Sequence, residues 1–202
     1  MKKINLELER RMYFFVPYNL SPIQQAIQAG HAALEYAIKY HDPECLDENS
    51  EVFYDFAYNW KTWVILNGGT TNSKRGLDTV VLGSLDQIGD DLLLNEIPFA
   101  YFHEPDLNDA LTAVCFVCDE RVFNRKDYPD LPDYLYGLNI STETDMGKSM
   151  HMIASIPLIA YKIKADEKLQ EEYPKQYKAW VKSLGGKKNV FLRELIKDKR
   201  LA

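Results

Sequence analysis

The chain has 202 residues, 46% of them hydrophobic and 12% aromatic, with a net charge of −6. That is enough to bury a sizeable core, and it suggests one domain with an appendage rather than two full domains. No apolar run is long enough to span a bilayer and the opening MKKINLELERR lacks the apolar segment of a signal peptide, so a soluble cytoplasmic protein without membrane partners is expected.

MYFFVPY, Met12 to Tyr18, is a short apolar and aromatic run and reads as a buried strand. Asn19-Leu20 makes the turn, Ser21 is a natural N-cap, and Pro22 takes the first helical position, where its missing N–H is harmless. In the helix that follows, to Tyr40, Ile23, Ala26, Ile27, Leu34, Ala37 and Ile38 recur at helical spacing. They form one apolar stripe, of the kind that normally faces a core. Gly30 interrupts the pattern and implies close packing or close approach by a ligand, since a helix-interior glycine costs about 1 kcal/mol relative to alanine.

HDPECLDENS is a polar connection, and EVFYDFAYNW holds a second helix with an aromatic face. TWVILN, Thr62 to Asn67, is a second strand ending in Gly68-Gly69. The loop GGTTNSKRG could cradle a phosphate but lacks the spacing of a P-loop, and a plain connection is the simpler reading. Leu77 to Leu82 is ambiguous between strand and helix. Ser84 with Gln87 makes a capping box that starts a helix running to about Asn95. PFAYF and LTAVCFV are strands three and four. The intervening HEPDLNDA is too short for a crossover, so these strands should pair antiparallel.

Three cysteines, Cys45, Cys115 and Cys118, make no disulfide framework. Cys115 and Cys118 form a CxxC, but on a strand residues three apart point to opposite faces. They read as buried structural thiols, and neither metal nor cofactor is expected. After Phe123 the character changes. NRKDYPDLPDY is a linker, TDMGKSMHMIASIPLIAYKIK an apolar helix, and Leu169 to Lys182 an amphipathic basic one. Gly185-Gly186 breaks the chain before a last helix. From Lys162 onward twelve Lys and Arg stand against six Asp and Glu, about +6, whereas the first 161 residues carry twelve basic and twenty-four acidic side chains, about −12. Such a tail either meets nucleic acid or folds back on its own acidic domain. The expected architecture is α/β: a four-stranded mixed sheet flanked by helices over residues 1–123, with a helical, basic C-terminal extension over 124–202.

Two groups of residues should converge at one edge of that sheet. Gln24, Gln28 and His31 lie at i, i+4 and i+7, which is one helical face. HEPDLNDA supplies Glu104, Asp106 and Asp109, and Thr112 follows. His31 could act as a general acid or base, and Glu104 could orient it or activate water. On residue type alone, caps and turn hydrogen bonds are the simpler role for these groups.

Three segments carry a resemblance: the strand, turn and helix ending in QAGHAALEY, Gln28 to Tyr36; the TWVILN strand after a Trp-containing helix; and FHEPDLNDALTAVCFV, Phe102 to Val117. In that order, across Met12 to Val122, they resemble the type II peptidyl-tRNA hydrolase superfamily, closest to a divergent branch with a Glu-Pro-Asp-Leu motif. The resemblance implies an α/β fold with a four-stranded mixed sheet and hydrolysis of the ester linking a peptide to tRNA. By position, Gln28 matches the family's helix Gln, His31 its helix His and Thr112 the Thr that opens the last strand. His31, Glu104 and Asp106 are then candidate catalytic residues, and Gln24, Gln28, Asp109 and Thr112 candidate substrate contacts. The chain departs from the family where active members carry lysines at the start of the first helix. Pro22 and Gln24 stand there, which argues against tight docking of tRNA phosphates on this face. Three readings remain open: a hydrolase of an ester or amide in a tRNA-linked or nucleotide-like substrate; an inactive relative that binds a nucleotide, small ligand or protein; and an interaction module. The last would recruit a protein partner through Tyr161, Tyr173, Tyr177, Trp180 and Phe191, interleaved among lysines. A homodimer is also compatible with the sequence.

Overall fold

The computed structural model describes residues 8–42, 44, 47–71, 74–75, 80–140 and 168–202. Four strands form one mixed sheet: β1 (Arg10–Pro17), β2 (Thr62–Gly69), β3 (Phe99–Glu104) and β4 (Ala110–Asp119), in the order β2-β1-β4-β3. β1 pairs parallel with β2 and antiparallel with β4, and β3 pairs antiparallel with β4. The architecture is thus the expected α/β fold. Strands β1, β2 and β3 all point their carboxyl ends to one edge, where β4 begins. The segment 74–75 pairs with 80–81 in a separate two-stranded ladder.

β1 is buried from Met12 to Val16, which is why its hydrophobic run is continuous rather than alternating. Met12, Phe14 and Val16 face one side, together with Ala113, Cys115 and Val117 of β4 and Ala29, Ala32 and Tyr36 of helix α1 (Pro22–Tyr40). Tyr13 and Phe15 face the other side, where Phe116 stacks on Tyr13 at 5.8 Å. Helix α3 (Ser84–Leu94) lies on that second side and buries Leu85, Ile88 and Leu92. Gly68 explains how α3 comes so close: a Cβ there would meet Leu85 Cδ2 at 2.5 Å and Phe15 Cβ at 3.0 Å. Helix α2 (Glu48–Asp55) runs into a π-helical turn, Phe56–Trp60. The buried pair Arg10 Nε–Asp55 Oδ2, at 2.5 Å, ties α2 to the sheet, and Asn59 Nδ2 donates to the other oxygen at 2.8 Å.

The apolar stripe of α1 does not face the core. Ile23, Ile27, Leu34 and Ile38 are 72%, 49%, 64% and 76% exposed. The buried face is the opposite one, Gln25, Gln28, Ala29, Ala32 and Tyr36. Two facts reverse the helix. Ala29 and Ala32 let the backbone come close to the sheet, close enough for the Cys115 thiol to donate to Ala32 O at 3.2 Å. Both buried glutamines are satisfied, Gln25 by donating to Pro17 O at 3.2 Å and Gln28 at the site described below. A polar group that keeps its hydrogen bonds can be buried at little cost.

The capping box of α3 is also shifted. Gly83 is the N-cap and its N–H donates to Asp86 Oδ2 at 3.1 Å, while the Ser84 hydroxyl accepts from Thr70 N–H at 2.7 Å. Ser84 therefore clips the end of β2 to α3 instead of capping with Gln87. At the β2 edge the last residues form a short extension: Leu201 bridges Leu66, Asn67 N–H donates to Arg200 O at 2.9 Å, and Ala202 N–H donates to Ile65 O at 3.1 Å.

The chain divides into two compact units, one reaching Glu120 and taking back Phe191–Ala202, the other Arg121–Val190. The second has its own core. Helix α4 (Leu131–Gly137) contributes Leu131 and Leu135, and helix α5 (Pro174–Ser183) contributes Trp180, packed with Leu169 and Leu184. Tyr173 and Tyr177 pack against this cluster, and the Trp180 indole N–H donates to Pro129 O at 2.9 Å. Of the aromatics named above as a partner surface, Trp180 is buried in the second unit's own core and Tyr173 and Tyr177 pack against it, whereas Phe191 belongs to the first unit. Gly185 and Gly186, at φ +86° and +126°, separate α5 from helix α6 (Lys187–Ile196), as the sequence indicates. The apolar segment Thr144–Lys164, with Met150, Met152 and Tyr161, lies outside the described residues, as do Cys45 and Leu77–Thr79. Among the described residues no helix is long and apolar enough to cross a membrane.

Candidate functional site

Helix α1 starts at the carboxyl edge of the sheet and runs back antiparallel to β3. Gln28 lies over Glu104, His31 over Phe102, and Tyr40 reaches Phe99 O. Its start is fixed by Ser21 and Gln24: Ser21 N–H and Ser21 Oγ–H both donate to Gln24 Oε1, at 3.0 and 2.9 Å, and Gln24 N–H donates back to Ser21 Oγ. The Gln24 side chain is exposed and occupied by this cap. It does not join Gln28 and His31.

One turn further, the buried Gln28 bridges two strands. Its Nε2 donates to Glu104 Oε2 at 2.7 Å, and its Oε1 accepts from the Thr112 hydroxyl at 2.6 Å. The carboxylate accepts only, so it dictates which end of the amide faces it. Thr112 Oγ also lies 3.3 Å from Phe102 O, a weaker alternative for its single proton. Thr112 is fully buried, so its hydroxyl is a support for Gln28 and not a surface contact.

Thr112 reaches Gln28 through a bulge. Phe102 pairs with Ala113, but His103 pairs with Leu111, which leaves Thr112 without a partner across the ladder. Regular alternation would turn Thr112 away from α1, because Ala113 already faces it. The bulge puts Thr112 and Ala113 on the same side, which is the re-aiming that bulges produce. Nothing in LTAVCFV signals it; the only hint was a polar residue in an apolar strand.

Glu104 closes β3 and is half-buried. Its second oxygen, Oε1, has no hydrogen-bond partner among the described residues, so one oxygen is held and the other is open. His31 packs its ring on Phe102 at 4.4 Å between centroids, and its Nδ1 is buried without a partner among the described residues. No hydrogen bond joins His31 to Glu104 among those residues. Asp106, in the turn Pro105–Leu107, and Asp109 are both exposed at the same edge of the sheet. Asn108 and Asp109 adopt φ of +54° and +57°, and Asp109 O sits 2.9 Å from His103 Nδ1, which pins the loop. The structure thus joins Gln28, Glu104 and Thr112 directly, sets His31 beside them through Phe102, and leaves Asp106 and Asp109 as an acidic rim. His103 and Phe102 are members of the site that the sequence reading did not single out.

The two strand thiols diverge, Cys115 toward α1 and Cys118 toward the other face. Burial pushes both thiols well above the ordinary thiol range, which keeps them protonated and unreactive. Among the described residues no cluster of His, Cys, Asp and Glu could hold a metal ion. No family model and no curated protein matches the chain.

Proposed function

We propose that the chain is a hydrolase of the peptidyl-tRNA hydrolase type, cutting an ester or amide in a tRNA-linked or nucleotide-like substrate. The observation that carries this reading is the half-occupied carboxylate of Glu104. Oε2 is held by Gln28 at 2.7 Å while Oε1 is open, which is how a general base is oriented and still left able to take a proton. In this reading Oε1 removes a proton from water and the resulting hydroxide attacks the substrate carbonyl. The ester C–O bond then breaks, and the proton passes to the departing ribose oxygen. His31 packs on Phe102 beside this carboxylate with its Nδ1 buried, so it shapes the wall of the site rather than contacting substrate through that nitrogen. The likeness of QAGHAALEY and the Glu-Pro-Asp-Leu turn to the type II peptidyl-tRNA hydrolases supports the same chemistry, as does the position at the carboxyl edge of the sheet.

A second reading, ligand binding without turnover, is favoured by one feature. The positions that match the family's lysines are Pro22 and Gln24, and Gln24 is engaged in the helix cap. With Asp106 and Asp109 on the rim, these positions offer no cation for RNA phosphate. Incubation of purified protein with peptidyl-tRNA separates the two. Hydrolysis that falls by about 100-fold or more in Glu104→Gln supports the enzyme. Binding without hydrolysis in the intact protein supports the second reading.

A further inference from the structure

The exposed face of α1 is apolar, nearly uncharged and symmetric about its own midpoint. From Ser21 to Ile38 the only formally charged residue is Glu35. Ile23 and Ile38 are equidistant from the point between Gly30 and His31, and so are Ile27 and Leu34. A two-fold interface must present a patch complementary to itself. In an antiparallel pairing of two copies of this helix, Ile23 meets Ile38 of the other copy and Ile27 meets Leu34. Glu35 meets Ala26, so no like charges oppose each other.

Gly30 lies beside the crossing point. A Cβ on Gly30 would meet nothing within 4 Å, so packing among the described residues gives no reason for glycine. Its lack of a side chain would let a second helix approach closely at the centre. The four exposed aliphatic side chains offer roughly 450 Å² of apolar area, more than half of the ~800 Å² per partner typical of a stable interface. The helix backbone, Ala26 and the stem of Glu35 extend the patch on either side.

We propose that the occupant of this face is a second copy of the chain, with the two α1 helices crossing antiparallel at Gly30. The paired side chains lie about 80–140° around the helix from Gln28, so the Gln28–Glu104–Thr112 network keeps its contacts, while His31 stands at the crossing and faces Gly30 of the second copy.

The test is the solution mass of the full chain by light scattering and sedimentation, with Ile27→Glu, Leu34→Lys and the double variant. The wild type is expected at twice the chain mass. Each single substitution puts a charge against an apolar residue, which should weaken association by at least about 100-fold. The double variant should recover the dimer, because the carboxylate introduced on one copy then faces the ammonium introduced on the other. A parallel pairing would instead oppose like charges in that variant. Three results overturn the proposal: a wild-type monomer up to about 100 μM, a dimer that survives both single substitutions, or no recovery in the double variant. Circular dichroism on each variant establishes that the fold is retained, as expected for changes at exposed positions.

Discussion

Replacing Gln28 with Met keeps the side-chain length and removes both hydrogen bonds that its amide makes, one to β3 and one to β4. The bond to Glu104 is charge-assisted and contributes about 1.5–3 kcal/mol; the one from Thr112 contributes about 0.5–1.5 kcal/mol. Two local adjustments offset part of the loss. Thr112 can turn its proton to Phe102 O, already 3.3 Å away, and the half-buried Glu104 can take up water. A net destabilisation of about 2–3 kcal/mol is expected, or a fall in melting temperature of roughly 5–10 °C for a chain of this length. Urea unfolding followed by circular dichroism reads it, with the slope checked, because two compact units can unfold separately. Thr112→Val should cost about 1–2 kcal/mol, and Gln28→Met with Thr112→Val less than the two together, since they share one bond. A loss below about 0.5 kcal/mol in Gln28→Met would falsify the argument that Gln28 couples the helix to the sheet.

Gly68→Ala should destabilise by about 1–3 kcal/mol in the same assay, because its Cβ would stand 2.5 Å from Leu85 Cδ2 and 3.0 Å from Phe15 Cβ; a neutral substitution would mean that α3 packs less closely on β2. Alkaline pH should also weaken the fold. Burial raises Tyr13, Tyr36, Cys115 and Cys118 above their ordinary values, so the folded chain holds protons that the unfolded chain has released. Their contribution is complete below about pH 8 and is lost as pH rises through the thiol and phenol range, about 8.5–10 and beyond. The urea midpoint should therefore fall between neutral pH and about pH 10.5, and a flat or rising midpoint contradicts the assignment.

Where hydrophobic pattern decides structure, the sequence was readable. The unbroken run in β1 announced a strand covered on both faces, and the short HEPDLNDA segment required β3 and β4 to be antiparallel. The three-residue spacing of Cys115 and Cys118 predicted that they diverge. The orientation of α1 was not readable, since periodicity counts glutamine as a surface residue whether or not it has partners. Gln28 is buried because Glu104 and Thr112, 76 and 84 residues away, happen to receive both ends of its amide. That the helix row and the Glu104 loop lie at one edge of the sheet was expected from the topology; that Glu104 is held by Gln28 and not by His31 was not. The role of Gln24 was not, because a capping box and a ligand contact ask for the same residue at the same place.

The bulge at Thr112 makes β4 a strand with two phases. From Ala113 to Asp119 its alternation serves the core, and that register cannot move without exchanging the two faces of the sheet. At Leu111 and Thr112 the phase has slipped by one residue, so this end of the strand is uncoupled from the rest. Changes here can present a different group to α1 while every core contact further along stays where it was. The strand thereby separates what must remain constant for folding from what is free to vary for chemistry.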